Sequence, residues 1–209
     1  MNSISSFTHT VIRAIVRARL SILTIALTYV VFIALGIILT HTGNSYALKA
    51  RDQLVNKALQ EDPASIAYIQ GNALQAAIID FGSNLMLGAV PKTVSGMAVV
   101  PAYPFVAYQG WIGGIVSVRA DHSSRLNDIR SAVYYLLTLL LQISAYALAV
   151  GAGVNVGIAM FRPQEYYQGD KWLGIFPKEA LRDLGRIYAL VIPLFMLASL
   201  WEFLSPWNL

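Results

Sequence analysis

Asp80 is the residue of this sequence with the clearest potential for chemistry, because it interrupts the mostly apolar stretch 73–90. Asn84 follows four residues later, a spacing that places both side chains on one face of a helix. A carboxylate in a membrane span is costly, so it usually faces a bundle interior or a wet cavity. The pair is compatible with an ion, proton or substrate site, as in transporters. It is also compatible with a carboxyl group that only hydrogen-bonds a neighbouring helix, and this is the favoured interpretation.

Two more polar residues lie within apolar stretches. Gln142 is followed one turn later by Tyr146, and amides at such positions usually form hydrogen bonds between helices. Glu202 lies near the end of the last apolar stretch, where it can reach the membrane interface or meet Arg119 or Arg125. The candidate intramembrane polar site therefore consists of Asp80, Asn84, Gln142 and Glu202.

Other kinds of chemistry have no support in the sequence. It contains no cysteine, and its three histidines are scattered, whereas a structural metal site needs three or four converging ligands. The H-E-x-x-H and G-x-S-x-G motifs are absent. No cluster of Lys and Arg interleaves with aromatic residues, as nucleic-acid binding would require. We predict no enzyme activity, no metal, no cofactor and no nucleic-acid partner. Intramembrane hydrolysis is the weakest of three functional hypotheses.

The composition indicates how these residues are positioned. Hydrophobic residues make up 56% of the chain and charged residues 12%, against about 25% charged residues in soluble domains. We therefore predict an all-α polytopic membrane protein, a single membrane domain over 1–209 with the lipid bilayer as its solvent. A span needs about 20 apolar residues. About five transmembrane helices are predicted, over 20–40, 73–90, 94–118, 131–161 and 187–207.

The connecting segments carry short amphipathic helices. Residues 1–19 have the pattern of a basic helix lying along the membrane surface, ahead of a retained signal anchor. Residues 41–71 are predicted as an outer loop with a helix over Ser45–Gln60. Residues 162–186 are predicted as an inner loop, and its amphipathic helix is expected over Pro177–Leu184.

Prolines and charges add detail to this topology. Pro91-Lys92 is predicted to end the second span, while Pro101 and Pro104 predict a kink or break in the third. With the N-terminus inside, nine Lys and Arg residues lie in inner segments and six in outer ones. The positive-inside rule then favours an N-in orientation, and the predicted location is a prokaryotic cytoplasmic membrane.

The fourth predicted span carries a strip of small residues. Ala145, Ala149, Gly153 and Gly157 recur at every fourth position and form one smooth face along a helix. Small residues allow close approach of two helix backbones in a membrane. Gly151-x-Gly153-x-x-x-Gly157 is one residue away from a dinucleotide-binding loop and follows no strand, so helix packing is the favoured interpretation.

Three stretches together resemble the stage II sporulation protein M family of polytopic membrane proteins. They are Asn72–Gly88, Leu139–Pro163 and Ala198–Pro206, and within the last, Glu202 and Pro206 match the family's closing Glu and Pro. The family's His-Gly-x-x-Glu element reads Thr138-Leu-Leu-Leu-Gln142 in this chain, so no role that depends on that His or Glu carries over.

The resemblance implies a non-enzymatic organiser of other proteins, since the family's namesake resembles a membrane scaffold for cell-wall hydrolases. It does not imply a role in sporulation. The leading functional hypothesis is a membrane scaffold or accessory subunit whose partners are membrane or envelope proteins or a second copy of the chain. The alternative is a transporter or channel component with its polar site around Asp80 and Asn84. A polar cavity that reaches Asp80 would favour the transporter, and a sealed Asp80 the scaffold.

Overall fold

The computed structural model describes residues 2–162 and 164–207, which form a helical bundle. Met1, from the predicted N-terminal segment, and Pro163, from the family resemblance, lie outside the described residues. In chain order the elements are α1 (Asn2–His41), α2 (Ser45–Glu61), α3 (Pro63–Ile69), α4 (Ala73–Gly82), a π-helix (Ser83–Ala89), α5 (Val90–Met97), α6 (Ala102–Ile115), a 3₁₀-helix (Arg125–Asn127), α7 (Ile129–Phe161), a 3₁₀-helix (Glu165–Tyr167), β1 (Lys171–Trp172), β2 (Phe176–Pro177) and α8 (Lys178–Leu204).

Among the described residues, four helices are long and apolar enough to cross a membrane: Phe7–His41, Ala73–Met97, Ile129–Phe161 and Lys178–Leu204. The predicted class of helical membrane protein is therefore confirmed. The third predicted span, 94–118, holds α6, which has only 14 residues. At 1.5 Å per residue this helix is about 21 Å long, less than the thickness of the hydrocarbon core.

The first helix differs from its prediction at the N-terminus. No separate surface helix precedes the first span, because α1 is continuous from Asn2 to His41. Val11, Ala14 and Ala18 are buried, and Arg17 contacts Asp183 of α8. An apolar stripe can be buried against protein as well as against lipid, and here residues 11–18 pack against the rest of the bundle.

Local capping explains the two short helices that follow. The side chain of Asn44 accepts hydrogen bonds from the backbone N–H groups of Tyr46 and Ala47, both at 3.1 Å, and so starts α2. Asp62 ends α2 and caps α3, whose first residue is Pro63. The observed α2, Ser45–Glu61, coincides with the helix predicted over Ser45–Gln60.

The second span is longer than its prediction, because Pro91 does not end the helix. A π-helix over Ser83–Ala89 precedes this proline, and the Val90 N–H donates to the Leu85 carbonyl, five residues back. Pro91 directly follows this change of hydrogen-bond register. Because it has no backbone N–H, it leaves no unpaired donor at that position. The helix continues to Met97. Val99, two residues later, has a φ of 64° and lies between α5 and α6.

Contacts along α1 define the direction of α6. Thr24 lies beside Tyr103 with 3.1 Å between the side-chain oxygens, and Thr40 lies beside Ser117 at 3.4 Å. The two helices therefore run parallel. Their contact relies on glycine, because a Cβ on Gly36 would lie 2.6 Å from the Trp111 carbonyl oxygen. This glycine interface between α1 and α6 was not predicted from the sequence.

The predicted small-residue strip faces α5. Ala145, Ala149, Gly153 and Gly157 are all buried. A Cβ on Gly153 would collide with the backbone carbonyl of Thr93, and one on Gly157 with that of Met97. At Gly153 and Gly157 the strip therefore brings α5 and α7 into backbone contact.

The last helix begins earlier than predicted. Helix α8 runs without interruption from Lys178 to Leu204, so the predicted helix Pro177–Leu184 is its first two turns and not a separate surface element. Ala180 and Asp183 are buried, so less of the first two turns of α8 is exposed than their amphipathic pattern indicated. We call the end of the bundle that holds Arg17, Asp183 and residues 164–177 the amino end. The other end, with α2, α3 and residues 116–128, is the far end.

Candidate functional site

Asp80 is held by the neighbouring helix α8. It lies in the last turn of α4, and its Oδ2 accepts a hydrogen bond of 2.6 Å from Ser199 Oγ. Ser199 is itself almost completely buried, with 1% of its surface exposed. The carboxyl group therefore connects two helices of the bundle.

Asn84 is positioned by the π-helix and bonds to α7. Tyr146 Oη donates a hydrogen bond of 2.7 Å to Asn84 Oδ1. The tyrosine ring reaches this position because Gly88 has no side chain, and a Cβ there would collide with Tyr146 Oη. A π-helical turn inside a span often marks a functional position. Here its direct effect is to turn an amide toward the neighbouring helix.

Gln142 and Glu202 form the third contact between helices. Gln142 Nε2 donates a hydrogen bond of 2.8 Å to Glu202 Oε2. Tyr134 Oη donates to the backbone oxygen of Glu202, also at 2.8 Å. Of the two arginines offered by the sequence as partners, Arg119 instead contacts Ser131 and Asp128.

The four predicted residues thus lie in one cluster across α4, the π-helix, α7 and α8. Gln142 and Tyr146 are one turn apart on α7, and Ser199 and Glu202 are three residues apart on α8, so each pair shares a helix face. We call this group the polar cluster, and it consists of Asp80, Asn84, Gln142, Tyr146, Ser199 and Glu202.

A cavity of about 460 Å³ lies beside the polar cluster. Gln142, Tyr146 and Glu202 form part of its wall, whereas Asp80 and Asn84 are not in that wall in the part of the chain that the structure describes. Helices α2 and α3 cover the cavity at the far end, through residues such as Leu59. Five tyrosines contribute to the lining: Tyr29, Tyr68, Tyr134, Tyr135 and Tyr146.

Arg125 is the cation in this wall, and its backbone is fixed by a short loop. Its N–H donates to the Ser117 carbonyl at 2.9 Å, and Val118 and Ser124 form a β-bridge. Burial, and then the nearby charge of Arg51, lowers the pKa of the Arg125 guanidinium. From the sequence, Arg125 was predicted only as a partner for Glu202, because nothing in its local sequence indicates a cavity beside it.

A second charged network lies at the amino end. Asp183, with 1% of its side chain exposed, accepts from Arg17 at 2.5 Å and from Arg186 at 2.7 Å. Tyr167 Oη donates to the same carboxylate at 3.0 Å, and Asn155 donates to Tyr167 at 2.9 Å. Burial raises the pKa of the Tyr167 phenol, so it remains a donor. This network joins α1, α7, α8 and the connection between them.

The described residues contain no group of three or more His, Cys, Asp or Glu side chains arranged to hold a metal ion. The fold and the polar cluster define a polytopic helical membrane protein whose intramembrane polar groups bond between helices. Residues 25–206 match the family described as stage II sporulation protein M, and the chain belongs to that family. The match confirms the resemblance and extends it to α1. No match is found among curated proteins or among solved structures.

Proposed function

We propose that this chain is a non-enzymatic membrane scaffold or accessory subunit that organises partner proteins in the membrane. The observation that carries the proposal is the bonding of the polar cluster. Each of its cross-helix hydrogen bonds, such as Ser199 to Asp80 and Tyr146 to Asn84, joins two helices. Groups used in this way stabilise a bundle and are not arranged around a shared substrate position.

Helix α2 supplies the surface that we propose for partners. Its exposed face is polar and carries Lys49, Gln53, Asn56 and Lys57, outside the four long apolar helices. The N-terminus is proposed to lie on the cytoplasmic side of a prokaryotic cytoplasmic membrane, so that α2 lies on the outer side. The partners are membrane or envelope proteins or a second copy of the chain.

A transporter component is the second candidate, because the cavity touches Gln142 and Glu202. Asp80 is the residue that separates the two functions. In a scaffold, Asp80→Asn preserves the size of the side chain and a hydrogen bond to Ser199, so we expect folding and partner capture to be retained. In a proton- or cation-coupled transporter the same change removes a titratable charge, and flux should stop.

The test measures both properties on one protein. Wild type and Asp80→Asn are purified from native membranes in mild detergent for mass spectrometry of co-purifying proteins, and are reconstituted for proton and cation flux. Glu202→Gln, which changes a carboxyl group in the cavity wall, is measured in parallel. Capture by both proteins without wild-type flux supports the scaffold. Wild-type flux that either substitution abolishes supports the transporter.

The proposed orientation has its own test. Gln60 on α2 and Gln168 between α7 and α8 are both exposed and lie at opposite ends of the bundle. The chain has no cysteine, so Gln60→Cys and Gln168→Cys each introduce a unique thiol. We expect a membrane-impermeant maleimide added to intact cells to label only Gln60→Cys. Labelling of Gln168→Cys alone would place the N-terminus outside.

A further inference from the structure

The wall of the cavity under α2 and α3 contains one basic side chain among the described residues, Arg125, and one carboxyl group, that of Glu202. Arg125 lines this cavity, and none of the ion pairs formed by the described residues includes it. Its Nε is buried and has no hydrogen-bond partner. A buried donor without an acceptor is unfavourable, so a ligand that supplies an oxygen at this position would be stabilised.

The surroundings of Arg125 strengthen this preference for an anion. Arg51 is 4% exposed, and its Nε also lacks a partner. Its Nη1 donates to Asp52 at 3.0 Å, and that carboxylate is shared with His122. Arginine binds carboxylate and phosphate groups through several parallel N–H donors, so an acidic headgroup fits this position.

The remainder of the cavity is mostly apolar and is suited to a hydrophobic chain. Val55 and Leu59 of α2 lie on one side of it, and Ile33, Leu139 and Ile143 lie on the bundle side. Its volume of about 460 Å³ lies within the range of about 300–1,000 Å³ that is usual for small-molecule sites. An inorganic anion alone would leave most of this space unfilled.

We propose that the cavity binds a single-chain anionic amphiphile, with its phosphate or carboxylate headgroup at Arg125 and its chain between α2 and the bundle. The site is distinct from the polar α2 face offered to partners. Ligand binding in the cavity can therefore be tested independently of the scaffold role.

Native mass spectrometry in a non-ionic detergent tests the proposal with three probes. These are oleoyl lysophosphatidate, monoolein, which has a similar chain without charge, and inorganic phosphate, which has charge without a chain. We expect one lysophosphatidate per protein and at least about tenfold weaker binding of the other two probes, the lower end of the contribution of a charged hydrogen bond.

Two arginine variants locate the headgroup. Arg125→Gln should weaken lysophosphatidate binding at least about tenfold, whereas Arg119→Gln should bind like wild type. Arg119 is the matched control, since it lies in the same loop, is 43% exposed and contacts Ser131 and Asp128. Arg125→Gln removes the charge of a half-buried side chain that belongs to none of the ion pairs of the described residues, so we expect it to fold.

A third variant reports on the cavity without changing its charge. Ala58 lines the cavity from α2, and Ala58→Phe fills the space meant for the chain, so it should also weaken binding. Loss of binding in Arg125→Gln and Ala58→Phe but not in Arg119→Gln supports the proposal. Equal binding of monoolein, tight binding of phosphate alone, equal losses in both arginine variants, or no binding by wild type would overturn it.

Discussion

Asp183→Ala is expected to cause the largest loss of stability of any single substitution at the amino end. The change removes the buried carboxylate that Arg17 and Arg186 both contact and that accepts from Tyr167, and it leaves them only the partly exposed Glu179 among the described residues. Removing one member of a buried ion pair typically costs about 3–5 kcal/mol. For a chain of this size we expect the melting temperature in detergent to fall by about 6–20 °C, which differential scanning fluorimetry would measure.

Asp170→Ala is the matched control for this substitution. Asp170 also forms an ion pair, with Lys178 at 3.2 Å, but its side chain is 84% exposed. Exposed pairs contribute about 0–1 kcal/mol, so its melting temperature should remain close to that of wild type. If the two variants lose the same stability, the network around Asp183 does not hold the helices together.

The sequence predicts best those features that short-range chemistry determines. The cap at Asn44 and the Asp62-Pro63 boundary are interactions between a side chain and the backbone within three residues. Their residue types alone therefore indicate where α2 begins and ends. The strip from Ala145 to Gly157 is also local, because helical periodicity places its members on one face, although the sequence does not name α5 as the partner.

Pro91 shows where this local reasoning fails. Proline within an α-helix removes a hydrogen bond and usually ends or kinks the helix, which is why the second span was predicted to stop there. The observed helix changes its hydrogen-bond register in the π-helix Ser83–Ala89, and Tyr146 of α7 occupies the space at Gly88. Part of what allows the helix to continue through Pro91 comes from another helix. The residues around Pro91 therefore do not predict that it continues.

Contacts between distant parts of the chain were predicted least well. The sequence identifies Asp80, Asn84, Gln142 and Glu202, because charged and amide side chains are costly in lipid. It does not predict which side chains on other helices they bond to. Arg17 and Asp183 are 166 residues apart, and each has an ordinary position outside an apolar stretch. Neither burial nor pairing can be inferred for such residues until the arrangement of the helices is known.

Gly153→Leu is expected to disrupt the contact between α5 and α7. Even a Cβ at Gly153 would collide with the Thr93 carbonyl, which belongs to a helix backbone and cannot rotate away. Overpacking of a core typically costs about 1–3 kcal/mol. Because backbone is displaced here, we expect the upper part of that range and a fall in melting temperature of about 4–12 °C in detergent.

Gly82→Leu provides the comparison that isolates this packing effect. Gly82 is also a helical glycine in a long apolar helix, but a Cβ there meets no atom within 4 Å. Leucine has a higher helix propensity than glycine, by about 0.8 kcal/mol, so this variant should be as stable as wild type or more so. A silent Gly153→Leu would show that α5 and α7 are not in close contact. Equal losses in both variants would instead assign the effect to the added leucine and not to the strip.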